Sequence, residues 1–134
     1  MTIQIHTLRL KPGQDLLKEI EMYLETNAIT AGCIVSAVGS FTHATLRLAN
    51  QNHYDEYDGF FEIVSITGTV STNGSHIHIS ISDSTGKTSG GHLVQGCTIY
   101  TTCEIVILQF TDVVYQREFC PMSGYEELTI SQKA

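Results

Sequence analysis

Three of the six histidines in the 134-residue chain lie within one short stretch, HIHISISDSTGKTSGGHL. They are His76, His78 and His92. Imidazole nitrogens are common ligands of transition metals, and three neutral imidazoles leave one position of a tetrahedral ion open. Such a set is typical of a catalytic zinc site, whereas a structural zinc site uses four protein ligands. The chemistry therefore depends on whether this stretch can bring the three imidazoles together.

The stretch predicts a β-hairpin with two different faces. Its first strand alternates between isoleucine and polar residues, so the isoleucines face the core and the histidines face the other way. The sequence DSTG followed by Lys87 suits a three-residue loop with Gly86 in the left-handed conformation. This loop places His78 opposite His92 on the polar face. A two-residue loop would pair Ile77 with His92 and would bury that imidazole among isoleucines, so the three-residue loop is favoured.

Two interpretations of the polar face are open at this point. The histidines either bind a metal ion, with zinc favoured, or they hydrogen-bond to neighbouring serines and to water. Three histidines on one predicted face favour a metal or small-ligand site. Glu62, on another predicted strand, is a candidate catalytic carboxylate that could carry protons. It can equally be a strand-edge carboxylate that faces water.

The composition predicts one cytoplasmic globular domain over residues 1–134. Hydrophobic residues make up 42% of the chain and charged residues 16%. The N-terminal sequence MTIQIHTLRL lacks the apolar core of a secretory signal, and no apolar run approaches the ~20 residues that cross a membrane. The four cysteines form no CxxC pair and are expected to be free thiols. A formal charge of −7 without a basic cluster argues against direct binding to nucleic acid.

The remaining pattern predicts an α+β fold with a mainly antiparallel β-sheet and one principal helix. The helix is predicted over residues 14–27, where apolar residues recur at helical spacing. The predicted strands cover residues 3–10, 33–38, 43–48, 60–70, 76–82, 93–100, 104–110 and 113–119. The strands FFEIVSIT and EIVILQF are apolar on both faces, so both faces need cover. One helix of about four turns covers only part of one face of a large sheet. A folded-over sheet, another subunit or both must cover the remaining apolar surface.

The chain resembles the plants and prokaryotes conserved (PPC) domain family over almost its whole length. Beside the histidine stretch, the resemblance is carried by LRLKPGQDL (8–16), AVGSFTHATLRL (37–48), GFFEIVSITGTVS (59–71) and YQREFCPMSGYEELTI (115–130). Two positions depart from the family's pattern. Phe60 stands where the family has a basic residue, and Cys120 stands where an acidic residue is common.

The resemblance implies a homotrimer of single α+β domains. It also implies that His76, His78 and His92 hold zinc, as in some prokaryotic relatives, and that the fold is similar to that of acetolactate decarboxylase, a zinc protein. Plant members carry AT-hook segments that bind DNA, but this chain has no Arg-Gly-Arg-Pro core. Two functions follow as expectations. One is a trimeric zinc-binding or small-ligand-binding protein, as a metal-dependent lyase or hydrolase. The other is a DNA-associated or protein-interaction module that acts through the trimer.

Overall fold

The chain forms a curled six-stranded antiparallel sheet, one helix and a separate two-stranded hairpin. The computed structural model describes residues 2–133. The elements in chain order are β1 (Ile3–Leu10), α1 (Leu16–Thr26), β2 (Ala31–Arg47), β3 (Asp55–Ser71), β4 (Gly74–Ser82), β5 (Thr88–Leu93), β6 (Thr98–Phe110), β7 (Val113–Cys120) and β8 (Tyr125–Gln132). The strand order in the large sheet is β1-β6-β2-β3-β4-β5, and β7 pairs with β8. The expected mainly antiparallel sheet with one helix is confirmed.

Strand β2 closes part of the sheet into a ring. One edge of β2 pairs with β3, and the other edge pairs first with β6. At Leu46 and Arg47, that second edge pairs with β5 instead. Because β5 also pairs with β4, strands β2 to β5 enclose an inner face that holds buried aliphatic residues such as Ile77 and Ile81. The curled sheet therefore covers one face of part of the strands that are apolar on both faces.

Helix α1 completes the core on the inner side of the sheet. It lies one or two residues inside the predicted bounds, because Asp15 is its N-cap and its carboxylate accepts the backbone N–H of Lys18 at 2.9 Å. Leu16, Ile20 and Leu24 are buried, as expected for the apolar stripe. No helix formed by residues 2–133 has the length and apolar content that a membrane span requires.

The prediction of one strand over residues 93–100 is wrong. Strand β5 ends at Leu93 and β6 begins at Thr98. The same Asp15 carboxylate explains the break, since it accepts the backbone N–H groups of Gly96 (2.7 Å) and Cys97 (3.1 Å). Gly96 has φ +110°, a conformation that favours glycine. A contact with a residue about 80 positions earlier thus fixes a turn in an apolar segment.

The strands predicted over residues 33–38 and 43–48 are parts of one strand, β2. Gly39, which directly follows the first of them, lies inside β2 opposite Cys103. A Cβ atom at Gly39 would lie 2.3 Å from the carbonyl oxygen of Thr102, so glycine allows the two strands to approach closely. Strand β8 was not predicted.

All four cysteines are free thiols, as the composition predicts. Two of them, Cys97 and Cys103, are buried in the core. Burial raises the pKa of the Cys97 thiol to about 11 and that of the Cys103 thiol to about 12. Both side chains therefore act as small apolar residues.

A histidine held by two carboxylates lies on β2 and β3, outside the histidine stretch. His43 Nδ1 is 2.7 Å from Asp58 Oδ1, and His43 Nε2 is 3.2 Å from Glu56 Oε1. The hydrogen bond to Asp58, supported by the one to Glu56 and opposed by some loss of hydration, raises the pKa of His43 above its ordinary 6.5. This group therefore stabilises the fold below about pH 6.5, and the stabilisation is lost as the pH rises through the native pKa.

We expect an NMR titration of His43 to show a midpoint above 6.5. Asp58→Asn should lower this midpoint, because it removes the main partner of the protonated ring. Asp55→Asn is the matched control, since Asp55 lies beside His53 instead, and it should leave the midpoint of His43 unchanged. A wild-type midpoint at or below 6.5 would contradict the prediction.

Candidate metal centre

The β4–β5 hairpin has the predicted three-residue loop and register. The backbone N–H of Asp83 donates to the carbonyl of Lys87 at 2.9 Å, and Gly86 has φ +87°. The Asp83 carboxylate also accepts the Lys87 N–H at 3.0 Å, so the loop stabilises its own conformation. His78 pairs with His92 across the hairpin. The predicted position of His78 opposite His92 is confirmed.

Three imidazoles converge on the outer face of this hairpin. One ligand nitrogen from each of His76, His78 and His92 lies within 4.8 Å of the other two. The Nε2 atoms of His76 and His78 are 3.1 Å apart, and the three ring centroids are 4.4 to 5.0 Å apart. Zinc–nitrogen bonds of about 2.0–2.1 Å in a tetrahedral site place the ligand nitrogens roughly 3.3 Å apart. Small side-chain rotations would therefore bring all three nitrogens onto one ion.

The pleat of β4 separates this cluster from the core. Ile77, Ile79 and Ile81 are buried on the inner face. His78 is exposed and His92 is half-buried on the opposite face. The isoleucines therefore fix the strand, while the histidines stay accessible from outside.

The surroundings keep two of the imidazoles neutral. Burial lowers the pKa of His92 to about 4, and the positive charge of Arg47 contributes to the shift. Burial also lowers the pKa of His76, and the charge of Arg117 adds to that effect. A neutral imidazole has a free lone pair, which metal coordination requires. Both rings are therefore unprotonated at neutral pH and suited to bind an ion.

A cleft of about 730 Å³ opens beside the cluster. His76 and His92 form part of its wall. Arg47, which pairs with His92 across β2 and β5, lies in the same wall. The β7–β8 hairpin supplies the facing residues Arg117, Tyr125, Glu126 and Glu127. The cluster thus borders a space that can admit a small molecule.

The sequence analysis missed the cationic side chains of this cleft. Arg47 lies 29 residues before His76, and Arg117 lies 25 residues after His92. Pairing between distant strands brings these residues together, and no local pattern indicates such pairing. Both arginines do occur in segments that carry the family resemblance, which was the available signal.

Glu62 does not join the histidines. It is exposed on β3 opposite Ser82, four residues along β4 from His78, or about 13 Å at the usual rise of a strand. Its catalytic role stays a prediction that no contact among residues 2–133 supports. Glu126 and Glu127 are the carboxylates that line the cleft, and the charge of Glu127 opposes the lowering of the His76 pKa.

The model of the Plants and Prokaryotes Conserved (PCC) domain, the family abbreviated PPC above, matches residues 1–111. The chain belongs to this family. The match includes all three histidines and Arg47. It ends just before β7, so the part of the PPC cleft that carries Arg117 and Glu127 follows the matched residues.

Solved structures similar to this PPC chain extend the comparison to its whole length. A protein from Salmonella enterica is 37% identical with a TM-score of 0.96, covering 99% of this chain and 96% of that chain. The metal-containing protein AF0104 of Archaeoglobus fulgidus is 29% identical with a TM-score of 0.81, covering 94% of this chain and 93% of that chain. The fold therefore recurs over nearly the full length of both proteins.

A curated relative of this PPC chain is a much longer protein. The bifunctional protein GlmU of Synechococcus sp. (strain JA-3-3Ab) is 41% identical over 133 residues, which are 99% of this chain and 21% of that protein. The chain thus spans about a fifth of the length of this relative. The similarity concerns that fifth of the protein.

Proposed function

We propose that this PPC domain binds a divalent metal ion, with zinc favoured, and presents the open coordination position of the ion to a small molecule in the cleft. The ligands are His76, His78 and His92. The observation that carries the proposal is the convergence of three imidazole nitrogens within 4.8 Å of one another on a single hairpin. A further support is that the similar protein of Archaeoglobus fulgidus is described as metal-containing.

The arrangement suits the chemistry of metal-dependent lyases and hydrolases. A zinc ion with three protein ligands acts as a Lewis acid on a carbonyl group or lowers the pKa of a bound water. The hairpin holds the imidazoles in place through its buried isoleucines and its self-stabilised loop. Glu127, in the wall of the same cleft, is the carboxylate we assign to proton transfer.

Metal analysis of the purified protein tests this proposal. The protein should be prepared without a histidine tag, stripped with a chelator and titrated with zinc. We expect one zinc ion per chain, with loss on chelation and recovery on addition of zinc. The proposal would be overturned if the protein binds zinc, cobalt and nickel no more tightly than a single exposed histidine binds them.

We also propose that the domain acts as a homotrimer, as the resemblance implies. The outer face of the sheet carries Val38, Phe60 and Val64, which are 58%, 59% and 58% exposed. The ring of Phe60 packs on that of Tyr100 with centroids 4.9 Å apart. Soluble monomers rarely expose such a group of large apolar side chains on one surface, so neighbouring subunits are the expected cover.

A DNA-associated role is the second candidate, and we expect direct DNA binding to be weak. The net charge of −7 repels the phosphate backbone, and the chain has no AT-hook core. The dissociation constant for a short duplex should exceed about 10⁻⁴ M, the weak end of non-specific binding at physiological salt. Fluorescence anisotropy at low and physiological salt measures it. Tight binding that falls steeply with added salt would favour the DNA-associated role.

A further inference from the structure

Two of the chain's three arginines border the histidine cluster, although the chain is acidic overall. Arg47 pairs with His92 across neighbouring strands. Arg117 donates to the Thr69 hydroxyl oxygen at 2.8 Å, and Thr69 pairs with His76. Each arginine is thus placed beside a different histidine, and both line the cleft.

Neither guanidinium has a carboxylate partner among residues 2–133, where the three ion pairs all involve histidines. The guanidinium of Arg47 donates to the carbonyl of Gln51 at 3.4 Å. The Nε atom of Arg117 is buried without a hydrogen-bond partner in this part of the chain. Both arginines are half-buried, and a charge that is partly withdrawn from water without a counter-charge carries a cost that an anion in the cleft would reduce.

The carboxylates of the cleft set a condition on such an anion. Glu126 and Glu127 line the same space and would repel it. Their two negative charges cancel the positive charges of Arg47 and Arg117, which leaves the charge of the bound metal ion to attract an anion. Anion binding should therefore require the metal-loaded protein.

We infer that the cleft takes a small molecule that carries an oxyanion, a carboxylate or a phosphate, and that Arg47 and Arg117 hold this oxyanion beside the metal. The inference rests on the proposed metal site. The planar fork of a guanidinium matches both carboxylate and phosphate oxygens. A volume of about 730 Å³ is that of a site for a small molecule. The two arginines then position the substrate, and another of its atoms can reach the open coordination position.

The experiment uses the cobalt-loaded protein, because cobalt(II) absorbs visible light and its spectrum responds to an added ligand. Succinate and inorganic phosphate are titrated separately, with the cobalt spectrum and calorimetry as readouts. We expect saturable binding of at least one anion to the wild type. Its affinity should fall by about 10-fold or more in Arg47→Met and in Arg117→Met, since each substitution removes a charged hydrogen-bond donor. Arg9→Met is the matched control, because Arg9 lies outside the cleft and bonds to Thr102.

The outcomes separate this inference from the metal site. If the two cleft variants bind only succinate more weakly, the oxyanion of the ligand is a carboxylate. If they bind only phosphate more weakly, it is a phosphate. If cobalt binds but neither anion does, or if both cleft variants bind the anions like wild type, the inference falls and the metal site stands. If the protein binds neither cobalt nor zinc, both fall. Should Arg117→Met fail to fold, Arg117→Lys keeps the charge without the fork and should still weaken anion binding.

Discussion

Replacing His78 with alanine is expected to lower the affinity for zinc by at least about 100-fold. The substitution removes one of three protein ligands, whereas loss of an outer hydrogen-bonding partner of a ligand alone typically costs 10–100-fold. Competition with a chromophoric chelator measures the affinity. Zinc at about 100 times its dissociation constant should stabilise the wild-type fold by about 2.7 kcal/mol, and the same zinc concentration should stabilise His78→Ala by about 0.4 kcal/mol or less.

The zinc-free fold should change little in His78→Ala. The side chain of His78 is exposed, while Ile77 and Ile79 on either side anchor the strand in the core. Thermal unfolding without zinc should therefore resemble that of the wild type. His53→Ala is the matched control, because His53 lies outside the cluster, and it should keep the wild-type zinc affinity. An unchanged affinity in His78→Ala would refute the proposed ligand set.

Replacing Val64 with aspartate is expected to convert the proposed trimer into a monomer at micromolar concentration. Val64 is 58% exposed on β3, four residues after Phe60 and on the same outer face. In Val64→Asp, a second subunit that covers this face would bury the unpaired carboxylate of the new aspartate. The free-energy cost of that burial is far larger than the gain from burying a valine side chain. Sedimentation velocity of wild type and variant measures the change in mass.

Met22→Asp is the control for a charge placed on an exposed apolar residue. Met22 is 51% exposed on helix α1, away from the outer face of the sheet, so this variant should remain trimeric. Zinc binding to Val64→Asp tests whether the cluster needs the trimer, since all three ligands come from one chain. A wild-type protein that sediments as a monomer would contradict the proposed assembly.

The hairpin could be predicted from the sequence because everything that fixes it is local. The DSTG loop with Lys87 determines the register, and the alternation of isoleucine and polar residues determines the faces. The two registers differ in whether His92 is buried among isoleucines, so elementary energetics separates them. The residue pairing at the centre of the site follows from 17 consecutive residues, His76 to His92.

The rest of the site depends on contacts that no short segment encodes. Arg47 reaches His92 because β2 leaves β6 and continues along β5. The turn at Gly96 depends on the carboxylate of Asp15. Glu62 looked suitable by residue type, yet the β3–β4 register places it opposite Ser82, away from the histidines. Each of these outcomes is decided by tertiary pairing, which overrides local propensity.

The alternation along β4 also affects how the domain can evolve. Mutations at the buried isoleucines carry a stability penalty whatever the protein binds, and selection for folding alone removes most of them. Mutations at the outward histidines would alter the proposed ligand site and should be nearly neutral for folding. A lineage can therefore lose, exchange or regain its ligand while the scaffold persists. The two faces of one nine-residue strand can therefore change independently, the inner face under selection for the fold and the outer face under selection for the ligand.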